Sequence, residues 1–310
     1  MALDLIAARR RARQSGGPDD IGQGVVPRDG SQGSELRGLD ALQAGSPVPP
    51  RAHALWRAAW PKLAALSIAL GVWQLVAVSG WRESYVLPGP LPVFAELGHQ
   101  ITAPDFWTAV GITLTRGVVG FAIAAALGLT LGILVARSRI LRAALGSLIT
   151  GLQTMPSIAW FPLAILLFQM SEQAILFVIL IGAVPSIANG VIGGVDYVPA
   201  LLVRAGRNLG ASGLSLYRHV VLPAALPSIV SGLKQGWAFA WRSLLAGELM
   251  VSIANRPSLG QYLNQSRELG DTSYMIALML AILAIGIGVD AVFSGIERGI
   301  RRRRGVVVGG

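Results

Sequence analysis

Residues 204–223 read RAGRNLGASGLSLYRHVVLP, a polar and basic stretch set between two long apolar runs, 173–192 and 224–250. Leu201, Ala205 and Leu209 recur at i, i+4 and i+8, one narrow apolar stripe of a helix, while Arg204, Arg207 and Asn208 face elsewhere. Gly210 stands where a helix wants a left-handed residue just past its end. Ser212, after Ala211, is placed to cap a second short helix carrying Leu214, Tyr217 and Val221. Pro223 should end that helix by disfavouring helical geometry at Leu222. The spacing predicts a rigid helix–turn–helix outside a membrane, with an apolar stripe that nothing nearby in sequence covers.

Working outward, composition says which membrane-bound class this loop serves. The chain has 310 residues, of which 53% are hydrophobic and 14% charged, with a mean hydropathy of +0.58. That balance excludes an ordinary soluble domain. Cysteine is absent, so disulfides, thiolate metal sites and thiol nucleophiles are excluded too. The net charge of +10 sits in loops expected on one side of a membrane, which points to the anionic lipid surface and not to nucleic acid. Residues 1–55 differ from the rest. Arg9, Arg10, Arg11 and Arg13 precede a run rich in Gly, Pro, Ser, Asp and Gln, expected to be a disordered, solvated tail. No apolar region follows those arginines, as a secretory or twin-arginine signal would require.

A helix needs about 20 predominantly apolar residues to cross the hydrocarbon core. Six stretches qualify: 61–79, with Pro61 at its start and Gly80 after it, then 117–136, 141–170, 173–192, 227–250 and 273–294. The third is too long for one straight helix. Met155-Pro156 breaks it and Trp160-Phe161-Pro162 follows, so it reads as a shallow entry, a kink and a span over 158–169. Lys and Arg in the connections fix the orientation. The tail, Arg137/Arg139/Arg142, Arg204/Arg207/Arg218 and Arg298/Arg301–Arg304 share one side, whereas the other holds Arg82, Arg256 and Arg267 among acidic residues. Both termini are therefore expected in the cytoplasm, together with the loop 196–223.

Ala205-Gly206, then Gly210, then Val220-x-Leu222-Pro223 resembles the EAA loop of ABC importer permeases, the element that docks on the cytoplasmic ATPase in that family. Arg204 stands where the family usually has Glu, and Gly206 where it has Ala. Four further motifs resemble the branch of that family that carries nitrate, taurine and aliphatic sulfonates. They are the run from Pro156 to Leu163 (PSIAWFPL), Trp241-Arg242-Ser243-Leu244 with Gly247-Glu248, Arg267-Glu268-Leu269, and Val86-Leu87-Pro88-Gly89-Pro90. The resemblance implies an all-α, type I ABC importer permease fold over residues 56–300, with a basic tail at 301–310. It also implies a second permease copy, two ATPase subunits and an extracytoplasmic substrate-binding protein as partners. Leu201, Arg204, Ala205, Gly206, Leu209, Gly210, Ala211, Ser212, Leu222 and Pro223 are the residues expected at the ATPase contact. A permease for a thiamine precursor or another small aromatic solute, and a secondary transporter or channel, are the alternative readings.

The chemistry-bearing residues agree with a subunit that hydrolyses nothing itself. The lysines, Lys62 and Lys234, lie in no phosphate-binding loop, so ATP chemistry falls to a partner. His53, His99 and His219 are too scattered for a metal site or a catalytic triad, and no cofactor is expected. Charges within spans need a reason, because each costs about 2.5–3.5 kcal/mol at mid-membrane on insertion scales. Lys234 and Glu248 lie near span ends, where they could snorkel; Arg116 and Asp290 read as anchors. Arg242 is deeper. It either lines a route for an oxyanion or pairs with Glu248 or across a dimer. Pro156, Trp160, Arg242 and Glu248 are the candidate pathway residues. Gly128, Gly132 and Gly182 are expected to serve helix packing alone.

Overall fold

The computed structural model describes residues 51–303, so the expectations for the disordered N-terminal tail and for the C-terminal residues beyond Arg303 lie outside the described residues. Described residues form helices and turns, with no strand among them. The helices are α1 Arg51–Val78, α2 Pro90–Thr102, α3 Pro104–Arg137, α4 Arg139–Thr154, α5 Phe161–Phe168 and α6 Glu172–Asp196. They are followed by α7 Ala200–Asn208, α8 Gly213–Leu216, α9 Leu222–Met250, α10 Leu259–Leu269 and α11 Thr272–Arg303. Two compact units result, one ending at Leu66 and one beginning at Ser67. Of the first, the structure describes the opening of α1, which begins well before Pro61 and not at it.

Among the described residues, five helices are long and apolar enough to cross a membrane, and six spans result if the bent pair made of α4 and the segment Ser157–Phe168 counts as one. The bend is 102°, far sharper than the kink read from Met155-Pro156. Proline at 156 has no N–H to donate and biases Met155 to extended backbone, so α4 stops and a 3-10 turn, Ser157–Trp160, restarts the chain in a new direction. Helix α5, at 8 residues, is too short to span alone.

The second unit is organised around α6. Its buried side chains occur all round the helix, from Ala174 and Ile175 to Val191, as expected of a segment enclosed by other helices. Helices α3 and α9 pack along it. At the crossing of α6 and α9, a Cβ on Gly190 would lie 2.5 Å from the Cα of Gly232, so the two backbones touch where neither carries a side chain. Gly128, Gly132 and Gly182 are likewise buried in helix contacts, as expected. The aromatic part of the core comes from Trp237 and Trp241, stacked with centroids 6.0 Å apart, with Phe121 edge-on to Trp237 at 5.3 Å.

Candidate functional site

The loop after α6 is built by local chemistry. Helix α7 ends in a complete Schellman motif: Gly210 N–H donates to Arg207 O at 2.9 Å and Ala211 N–H to Gly206 O at 3.0 Å. Gly210 has φ +87°, the left-handed conformation its position called for. Gly206 is buried against Leu216 and Val220, so the residue that departs from the usual pattern lies inside the helix–turn–helix angle. Arg204, Ala205, Arg207 and Asn208 are exposed, and Leu201 and Leu209 leave 69% and 88% of their surface uncovered. The predicted stripe is present and unburied in the single chain.

Two details of this loop correct the sequence reading. Ser212 occupies the N-cap position of α8, but its side chain makes no capping bond; its carbonyl accepts from Ser215 and Leu216 instead. Pro223 does not end the second helix. The chain passes through a π turn, Tyr217–Val221, straight into α9, with Leu222 helical at φ −61°. A π turn widens the ring by one residue, which relieves the clash a proline makes with the carbonyl four residues back. The second short helix thus runs on into the span without a break.

At the other end of α6 lies a charge network that sequence reasoning missed. Glu248 is 1% exposed, so it does not snorkel. Its partner is Arg116 of α3, not Arg242: Arg116 Nη1 donates to Glu248 Oε1 at 3.0 Å. Glu248 Oε2 accepts from Thr113 Oγ1 at 2.9 Å and from Gly260 N–H at 3.2 Å. Leu259 N–H donates to Thr113 Oγ1, and Gln261 N–H to the capping Ser258 Oγ. The first three free N–H groups of α10 are therefore all satisfied, and a carboxylate sits at the positive end of that helix. Arg116 also grips Glu172 through Nε at 2.8 Å and Nη2 at 2.7 Å, and Arg256 shares Glu172 Oε1 at 2.9 Å. Arg116 lies twelve residues inside α3, which starts at Pro104, and is tied to both carboxylates.

The remaining intramembrane charges divide into paired and unpaired. Lys234 meets Asp290 at 3.3 Å and donates to Ser294 Oγ at 2.8 Å. Arg242 is exposed, lies over the Phe239 ring at 4.7 Å and donates from Nε to its own helix at Ala238 O. No carboxylate of the described residues is in salt-bridge range of it. Pro156 is exposed at the bend, and Trp160 is half-buried beside α6 and α9 with its Nε1 unbonded among the described residues. The structure therefore separates the four pathway candidates: Pro156 and Trp160 at the bend, Arg242 open on α9, Glu248 sealed in the network.

Comparison with known proteins accords with this arrangement. Residues 128–302 match the family of binding-protein-dependent transport system inner membrane components. The bicarbonate transport system permease protein CmpB of Synechococcus elongatus is 32% identical over 243 residues, covering 74% of this chain and 85% of its own. The putative aliphatic sulfonates transport permease protein SsuC of Escherichia coli is 30% identical, covering 74% and 86% respectively. The nitrate import permease protein NrtB of Synechocystis is 33% identical over 60% of this chain and 70% of its own. Among solved structures, the MetNI methionine ABC transporter in an inward-facing conformation shares the fold, with a TM-score of 0.56 at 21% identity over 64% of this chain and 99% of that one. With its all-helical bundle and its multi-pass apolar helices, the chain belongs to the family of binding-protein-dependent transport system inner membrane components, the membrane permeases of ABC importers.

Proposed function

We propose that this permease moves a small oxyanion inward: an aliphatic sulfonate, taurine, nitrate or bicarbonate. Two copies of the chain form the route, two cytoplasmic ATPase subunits drive it, and an extracytoplasmic binding protein delivers the solute. Both termini and the loop 196–223 face the cytoplasm of a bacterial inner membrane. The observation that carries this reading is the uncovered stripe Leu201, Ala205 and Leu209 on a helix whose end is locked by Gly210 and whose continuation is the span α9. A motor docked on that stripe pushes a helix–turn–helix that runs on into the span. Arg204, Gly206, Ala211, Ser212, Leu222 and Pro223 hold its shape or flank the contact.

Arg242 is the proposed cation of the route, since a guanidinium without a carboxylate inside an apolar span has no reason to face lipid. Pro156 and Trp160 shape the bend after α4. Glu248 is proposed as structural, because all its contacts are inside the network.

The test is reconstitution in liposomes with and without the ATPase, the binding protein and ATP, following labelled nitrate, bicarbonate, taurine and an alkylsulfonate. Uptake of one of these that needs all three additions is the expected result. Ion-gradient-driven uptake by the chain alone would instead mark a secondary transporter. ATP-driven uptake confined to an aromatic solute would overturn the oxyanion assignment.

A further inference from the structure

Helix α9 presents a second kind of side chain on the face that carries Arg242. Ser231, Gln235, Ala238 and Arg242 are exposed and follow one another at spacings of 4, 3 and 4, which keeps them on a single helical face. This face lies within the apolar span Leu222–Met250. The exposed faces of the neighbouring long helices are different. On α3 they carry Val118, Val119, Ile123, Leu127 and Leu134, and on α11 Val292 and Ile296, whereas Met279, Leu283, Ile287 and Asp290 of α11 line one groove with Arg242. The hydroxyls that do appear on the α3 face, Thr108, Thr115 and Thr130, donate back to their own helix at Pro104 O, Gly111 O and Ala126 O. Hydrocarbon suits those faces and does not suit an amide and a guanidinium.

A cavity of ≈ 370 Å³ opens against the same face, lined by Ser228, Ser231 and Gln235 of α9 and by Asn189 and Tyr197 across it. Its floor is glycine, Gly190, Gly193, Gly194 and Gly232, so the polar side chains stand over a smooth surface. Asn189 is held by a bond from its Nδ2 to Gln153 Oε1, which ties the cavity to α4 just before the bend. Arg242 lines a separate, larger groove of ≈ 650 Å³ and lies seven residues from Gln235, about 10 Å along the helix axis.

Building on the oxyanion-importer reading above, we propose that Asn189, Ser231 and Gln235 form a neutral selectivity segment of the route. It binds a small, singly charged oxyanion as that ion leaves Arg242. Amide N–H₂ groups and hydroxyls donate to oxygen acceptors without adding charge, so they replace part of an anion's water and still release it. A cation gains nothing from Arg242 on the way in. A second copy of the chain covers the outer side of this route.

The absence of cysteine in the chain makes the test direct. Single variants Ser231→Cys, Gln235→Cys and Arg242→Cys, with Leu127→Cys and Val292→Cys as lipid-face controls, are assembled with the ATPase and binding protein and treated with a negatively charged, membrane-impermeant methanethiosulfonate. The first three are expected to react during ATP turnover and the controls not to. With the transported oxyanion at ten times its apparent Kd, reaction at Gln235→Cys should slow about tenfold. Gln235→Glu should lower oxyanion uptake more than Gln235→Leu, while ATPase stimulation by the binding protein persists in both.

Three outcomes would overturn the proposal. Normal ATP-driven uptake with no labelling of the 231 and 235 variants would sink the selectivity segment and leave the importer reading standing. Ready disulfide formation between copies at 231 or 235, with no reagent labelling, would show that this face is a dry contact between copies. Lack of ATP-driven uptake of any oxyanion by the unmodified complex would remove the oxyanion reading on which the proposal rests.

Discussion

The loop around Gly210 and the network around Glu248 flank the two ends of α6, about 37 Å apart for its 25 residues. They solve opposite problems. The network takes charges that an apolar bundle cannot tolerate and closes them on one another, so that Glu248 has three donors and Arg116 has two carboxylates. The loop leaves apolar side chains in the open and spends its hydrogen bonds on its own backbone. One region is complete within the chain; the proposed function gives the other a second molecule to close against. Lesions in the first should therefore register as lost stability, and lesions in the second as lost transport by a stable protein.

The largest effect on that contrast is expected from Glu248→Ala. It strands a buried Arg116 nitrogen, Thr113 and the Gly260 N–H at once, and breaking a buried pair from one side costs about 3–5 kcal/mol. Thermal unfolding in detergent should show it, with Glu248→Gln retaining an acceptor and losing less. A normal melting temperature for Glu248→Ala would mean the network carries no stability. Next is Gly210→Val. A side chain at φ +87° costs about 1–2 kcal/mol locally, so insertion and melting should change little while ATP-driven uptake falls steeply. If melting falls as far as in Glu248→Ala, the division between the two regions is wrong.

Two smaller changes sharpen the comparison. Gly206→Ala would put a methyl 2.9 Å from Val220 Cγ2 and 3.0 Å from Leu216 Cδ1, both ends of side chains that can turn, for about 1 kcal/mol. It should slightly reopen the helix–turn–helix angle and reduce uptake by less than Gly210→Val does. Arg256→Ala removes the exposed member of the network, and its pair with Glu172 should be worth about 0–1 kcal/mol because Arg116 still holds that carboxylate. A loss as large as that of Glu248→Ala would show that Arg256, and not Arg116, is the keystone.

The two regions also differ in how far the sequence disclosed them. Gly210, the stripe and the break at Met155-Pro156 were legible because each depends on backbone rules acting over a few residues. The continuity through Pro223 was not, since nothing in a leucine–proline pair announces that a π turn will absorb the proline. The network joins residues 113, 116, 172, 248, 256 and 260 from four helices and the loop after α9, and no local pattern places them together. One signal was available: Arg116 and Glu248 are opposite charges in apolar stretches, each of which needs a partner. Sequence proximity offers Arg242 as one partner for Glu248 and gives no sign of Arg116. In the structure the two carboxylate-bearing helix ends meet around α3, and the six-residue offset along α9 turns Arg242 away from Glu248.

The central claim is that the exposed stripe of α7 transmits the motor's motion to α9. It is tested most directly by ATP-driven uptake per assembled complex for Leu209→Asp, with Arg207→Ala in parallel. Putting a charge where Leu209 now offers an apolar surface 88% uncovered should abolish most uptake and weaken co-purification with the ATPase, whereas Arg207→Ala should be much milder. Uptake by Leu209→Asp equal to that of the unmodified complex, with the ATPase still bound, would show that this loop is not the coupling element.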